Sequence, residues 1–158
     1  MTQNQIIGTD SPLSDDQRRI LAIVLDLIIP ASEDARRPSA ADVDVLGHIR
    51  ETESHTLDGL RAELDQLDAE AFESQGDAFA SLDPATGKAL VEAIREREPH
   101  FLRTLAMQTV TCYYRDDRVL EAIGVGARPP FPDGYEVPSG DLSLLEPVRR
   151  RGRVYREA

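Results

Sequence analysis

Residues 14–30 read SDDQRRILAIVLDLIIP, and this stretch decides the fold. Ser14 offers an N-cap, with Gln17 three residues on as the reciprocal partner of a capping box and two aspartates in the first turn. Ile20, Leu21, Ile23, Val24, Leu25, Leu27, Ile28 and Ile29 then make a helix apolar almost all round, and Pro30 stops it. Such a helix belongs in the middle of a protein, contacted on several sides. The longest apolar run, Ile20–Ile29, is ten residues broken by Asp26, far short of a membrane span.

Outward from it the same periodicity recurs. Ser39, with Asp42 at the third position, predicts a capped helix carrying Val43, Val45, Leu46 and Ile49 inward. Leu57, Leu60, Leu64, Leu67 and Ala71 form a seam at steps of three and four, the spacing that packs one helix against another at a shallow angle. A break is expected from Phe72 to Ser81, with Phe79 filling the core. Asp83 caps a fourth helix with Pro84 at its first position and Ala89, Leu90, Ala93 and Ile94 inside. After Pro99, the residues Phe101, Leu102, Leu105, Ala106, Thr109, Val110 and Tyr113 share one helix face. A shorter helix from Asp116 or Asp117 to Ile123 turns Val119, Leu120 and Ile123 inward, and Gly124 and Gly126 end it. The remainder, ARPPFPDGY and beyond, is a stiff irregular arm, because proline fixes φ and donates no hydrogen bond.

These readings give an all-α fold. One domain over 1–158 holds five to six helices around a central apolar helix, with a loose lead-in at 1–12. Residues 124–158 form an irregular, proline-rich C-terminal arm and basic tail. The chain has 158 residues, 41% hydrophobic and 30% charged, with no tryptophan and 5% aromatics. A core of Leu, Ile, Val and Ala suits helices better than sheets. A net charge of −11 repels phosphate backbones, so nucleic acid is not expected as a partner. The arginines of the tail, Arg149, Arg150, Arg151, Arg153 and Arg156, are the one basic cluster, either a solvated tail or a contact for an acidic surface. Cys112 is the single cysteine, so no intrachain disulfide forms; it reads as a small hydrophobe on a packed helix. The N-terminus MTQNQIIGTDSP lacks a basic stretch followed by an apolar one. A cytoplasmic location is therefore the expectation, with export alongside a partner left open.

Chemistry is sparse. Asp44, His48, Glu51 and His55 recur at steps of four, three and four, which stacks two imidazoles and two carboxylates on one stripe. Both groups bind transition metals, yet one helix face does not close around an ion, and a solvated polar face is the plainer reading. Gly124-Val-Gly126 lacks the third glycine, the preceding strand and the following helix of a dinucleotide fingerprint. His100 has no positioned nucleophile or carboxylate in sequence. No catalytic, cofactor-binding or metal-binding residue is assigned.

The aromatics are concentrated instead: Tyr113, Tyr114, Phe131 and Tyr135 are half of the chain's eight Phe and Tyr. Tyr113, Tyr114, Arg115, Arg128, Phe131 and Tyr135 are the candidate partner-binding set, since aromatics and arginine are enriched at interfaces. Equally, the arm covers one end of its own core, with the tyrosines satisfied internally. The string Thr109–Tyr135 resembles the end of the gluconate 2-dehydrogenase subunit 3 family: tyrosines close a helix, then come Arg-Asp-Asp-Arg-Val-Leu, glycine, Pro-Pro and a final Gly-Tyr. The opening Leu13-Ser14-Asp15-Asp16-Gln17 helix ending in Ile28-Ile29-Pro30, and Leu82-Asp83-Pro84, agree with it. The resemblance implies a small, non-catalytic accessory subunit of a large flavin-dependent dehydrogenase of the glucose–methanol–choline type, with FAD in the partner and no cofactor in this chain. Many relatives carry a twin-arginine signal, which this N-terminus does not show. A metal-dependent small helical enzyme and a homo-oligomeric scaffold or adaptor are the alternatives.

Overall fold

A computed structural model describes residues 11–126 and 139–152, which belong to two compact units, Met1–Ala127 and Arg128–Ala158. Every regular element among the described residues is helical.

In the first unit, helix α1 spans Asp15–Ile28. Its capping box forms as the sequence dictates: the Gln17 amide donates to Ser14 Oγ at 3.2 Å, and the Ser14 amide donates to Gln17 Oε1 at 2.9 Å. Four residues of α1 are buried, Ile20, Leu21, Val24 and Leu25, while Ile23 and Leu27 are only half-buried. The helix packs on α3 (Leu57–Gln75), on α5 (Pro99–Tyr113) and on single turns at Ala40–Asp42 and Phe79–Ser81. It touches four elements, yet Ile23, Leu27 and Ile28 are left partly exposed.

Ser39 caps a helical turn, but only the Ala40–Asp42 turn; the expected continuous helix is split. Helix α2 (Val45–Thr52) starts afresh, because the Asp44 carboxylate accepts from the Gly47 amide at 2.9 Å and makes a second N-cap. Asp42, Val43 and Asp44 in succession explain the interruption: short acids bond local backbone, and a β-branched residue gains little from helix. Between α2 and α3, Ser54–Thr56 forms another turn.

Helix α3 buries Leu60, Leu64, Leu67 and Ala71, the seam read from spacing. It runs through Phe72 to Gln75 rather than breaking at 72, because Ala71, Glu73 and Gln75 are sound helix formers. Gly76, at φ 79°, supplies the left-handed stop, and Phe72 faces solvent on the outer side. Phe79 does plug the core; its amide donates to Asp68 Oδ1 at 2.8 Å, which fixes the turn.

Helix α4 (Pro84–Arg97) is capped by Asp83 as expected. Its inner stripe is Gly87, Leu90, Val91 and Ile94, one step round from the expected one, and Ala89 and Ala93 are exposed. The larger side chains took the inner positions, since burying Leu, Val or Ile removes more apolar surface than burying Ala. Helix α4 packs on α5 and α3, and Arg97 reaches Glu70 at 2.7 Å across the α3–α4 contact. Helix α5 buries Leu102, Leu105, Thr109 and Tyr113, with the Thr109 hydroxyl donating to the Leu105 carbonyl at 2.7 Å. Val110, placed inward by the sequence, is exposed. Helix α6 (Asp117–Ala122) buries Val119 completely; Ile123 is turned out, because the chain leaves the helix there and Gly124 takes φ 78°.

In the second unit a turn at Leu142–Leu145 leads into the short helix α7 (Glu146–Arg150), in which Arg149 pairs with Glu146 at 3.2 Å. Arg153 and Arg156 of the basic tail lie outside the described residues, as do residues 1–10 of the lead-in.

Candidate functional site

The junction of α5 and α6, residues Tyr113–Arg118, closes against the loop that precedes α2. The Tyr113 ring is 2% exposed, and its hydroxyl donates to the Pro38 carbonyl at 2.9 Å. Burial pushes the phenol upward in pKa, so it stays a protonated donor. Arg118 grips the same loop: one guanidinium nitrogen donates to the Asp42 carbonyl at 2.9 Å and to Asp116 Oδ2 at 2.8 Å, while Nε donates to Asp116 Oδ1. Asp116 also caps α6 through the Arg118 amide. Hydrogen bonding from Arg118 holds the Asp116 carboxyl below its ordinary range. Tyr113 and Arg118 thus clamp the loop at Pro38 and Asp42, with Asp116 orienting Arg118.

Of the candidate partner-binding set, Tyr113 is therefore a core residue, and its ring is committed inside. Tyr114 is half-exposed and meets Tyr113 edge-to-face, ring centroids 5.4 Å apart and planes at 85°. Arg115 is exposed. Arg128, Phe131 and Tyr135 lie outside the described residues. Tyr114 continues a row along the outer side of α5: Met107, Val110 and Tyr114, spaced three and four apart, are 63%, 42% and 50% exposed. Helix α5 thus carries an exposed apolar row in addition to its buried stripe.

The polar stripe does not stay together. Asp44 is spent capping α2, and Asp44, His48 and Glu51 line a shallow cleft with Cys112, Arg115 and Asp116. His55 sits on the Ser54–Thr56 turn and opens instead into a separate cleft of about 280 Å³ shared with His100, Glu63 and the apolar side chains Ile49, Leu60, Phe101 and Leu105. His55 parts from the others because α2 ends at Thr52 and Ser54–Thr56 forms a turn of its own, and among the described residues no three His, Cys, Asp or Glu side chains gather as a metal site requires. Cys112 donates weakly to the Asp44 carbonyl at 3.6 Å. Burial, then the Asp44 charge, raises its thiol pKa against the pull of Arg115. A thiol shifted that way is a poor nucleophile.

A groove of about 430 Å³ that the sequence did not disclose runs between α1, α4 and α5. Its floor is Val24, Leu27 and Ile28 of α1, Val91 of α4, and Leu102 and Ala106 of α5; Lys88, Glu92, Arg95 and Arg103 stand along it. It exists because α1 is apolar on more sides than its neighbours cover. The only sequence signals were the near-complete apolar girth of α1 and the fact that Lys88 is the chain's sole lysine.

Among the described residues the first unit is all-helical, with a clamped tyrosine junction and an exposed apolar row on α5. The chain belongs to the gluconate 2-dehydrogenase subunit 3 family, whose model matches residues 15–126, the span from α1 to the glycines after α6. No curated protein and no solved structure gives a significant match. No helix among the described residues is long and apolar enough to cross a membrane.

Proposed function

We propose that this chain is a non-catalytic accessory subunit that binds a large FAD-dependent dehydrogenase acting on a sugar or related alcohol, and stabilises it or helps its maturation. Family membership supplies the class of partner. The observation that carries the reading in the molecule itself is the second apolar face of α5, where Met107, Val110 and Tyr114 stand exposed. A helix whose one face already packs its own core has no intramolecular need for that second row, and a surface rich in Met and aromatics is suited to a protein partner. The flavin and the catalytic groups belong, on this reading, to the large subunit.

The test is purification from the native host under mild conditions, followed by the visible absorption spectrum and subunit composition of what is recovered. A yellow complex with a large flavoprotein is the expected result. A colourless, lone 17.5 kDa species overturns a stable complex.

A further inference from the structure

We infer that the groove between α1, α4 and α5 receives an acidic, amphipathic segment of the partner flavoprotein. The inference rests on the accessory-subunit reading and adds a second contact, remote in chemistry from the apolar row on α5.

Two features select the occupant. The floor is apolar and half of it belongs to α1, a helix apolar almost all round; Leu27 and Ile28 are left half-buried there. Apolar surface at the bottom of a groove is stabilised by an apolar insert. The rim has the opposite charge to the molecule. Lys88, Arg95 and Arg103 face a single carboxylate, Glu92, which is paired with Arg95. Neither Lys88 nor Arg103 makes an ion pair among the described residues. Two uncompensated cations over an apolar floor, on a chain of net charge −11, form a local positive field. The matching ligand carries carboxylates beside apolar side chains. A second copy of this chain is disfavoured, since two bodies of charge −11 repel on approach. Nucleic acid is disfavoured for the same reason.

Lys88, as the sole lysine, makes the groove addressable by chemistry. The complex isolated through a tag on the full-length chain is treated with a carbodiimide, which joins a lysine amine to a carboxylate with no spacer, and the cross-linked peptides are read by mass spectrometry. Binding of the isolated flavoprotein is then titrated against the wild type, Lys88→Glu/Arg103→Glu and Lys88→Arg/Arg103→Lys at several salt concentrations. Expected are a Lys88 cross-link to an Asp or Glu flanked by apolar residues in the flavoprotein, and a loss of affinity of about tenfold or more with a flatter salt dependence in the charge-reversed chain. The charge-conserving pair keeps wild-type affinity. The inference is overturned if the wild-type complex forms, Lys88 couples to no flavoprotein carboxylate or only to a second copy of this chain, and charge reversal leaves affinity unchanged. That result leaves the accessory reading standing. Absence of any wild-type complex overturns both.

Discussion

At the scale of single residues, the Tyr113–Arg118 clamp separates what sequence discloses from what it does not. A tyrosine ending an apolar helix stripe is legible as inward-facing, but its neighbour Tyr114 has the same side chain and the opposite fate, and only the position of the Pro38 carbonyl decides between them. Backbone acceptors carry no letter in a sequence. Removing the hydroxyl by Tyr113→Phe is expected to destabilise the fold by about 1 kcal/mol, read as a lower urea midpoint with unchanged slope. Asp116→Ala removes both the α6 cap and the carboxylate that orients Arg118, and should cost about 1–2 kcal/mol at neutral pH. The folded-state pKa of Asp116 lies below its ordinary value of 3.8, so its contribution is present above that value and fades as pH falls through the lower, folded one. Urea titrations from pH 7 down to strongly acidic buffer should therefore show wild type and variant converging only below that value. A gap that closes at neutral pH would show that another group governs the clamp.

At the scale of elements, cap chemistry was read well where one cap serves one helix, as at Ser14 and Asp83, and badly where two compete. Ser39 and Asp44 both cap, so the stretch between them became a turn and a helix in place of one helix. The Asp44, His48, Glu51, His55 stripe broke at its other end, where α2 stops at Thr52 and His55 falls on the next turn. The seam of α3 was legible because its leucines admit one inward face; α4 was misplaced by one step because its alanines and larger apolar residues offered two. Three helical glycines turn this into a measurement. A Cβ at Gly47 would overlap the Asp44 carboxylate that caps α2, so Gly47→Ala is expected to lose the cap and gain no stability. A Cβ at Gly87 would sit 3.8 Å from Phe79 Cε2, an ordinary contact, and one at Gly59 would meet nothing. Gly59→Ala and Gly87→Ala should each stabilise the fold by about 0.5–1 kcal/mol through helix propensity, seen as a higher thermal midpoint.

At the scale of the molecule, an all-α unit around the Ile20–Ile29 stretch was legible because hydrophobic period is a property of the chain itself. Coverage is not: how many sides of α1 find neighbours depends on where α4 settles, and the groove follows from that. The bare row on α5 escaped for a related reason, since Met107 and Val110 are as apolar as the residues inside and periodicity alone does not rank two faces. Met107→Asp should leave unfolding free energy within about 0.5 kcal/mol of wild type, and Tyr114→Asp, which also breaks the edge-to-face pair, should cost about 1 kcal/mol, while each weakens capture of the proposed flavoprotein partner at least about tenfold. Denaturant titration and binding titration of the same preparations check the two halves of that statement; folded variants that bind as tightly as wild type would remove the row from the interface.

The edge-to-face tyrosine pair has an optical consequence. The chain has no tryptophan, so its own ultraviolet emission comes from tyrosine, with Tyr113 shielded and Tyr114 half in water. Any indole emission in an assembly belongs to the other chain. Energy passed from tyrosine to a neighbouring indole would then serve as a label-free gauge of docking, with Tyr114 standing on the face where that neighbour is expected.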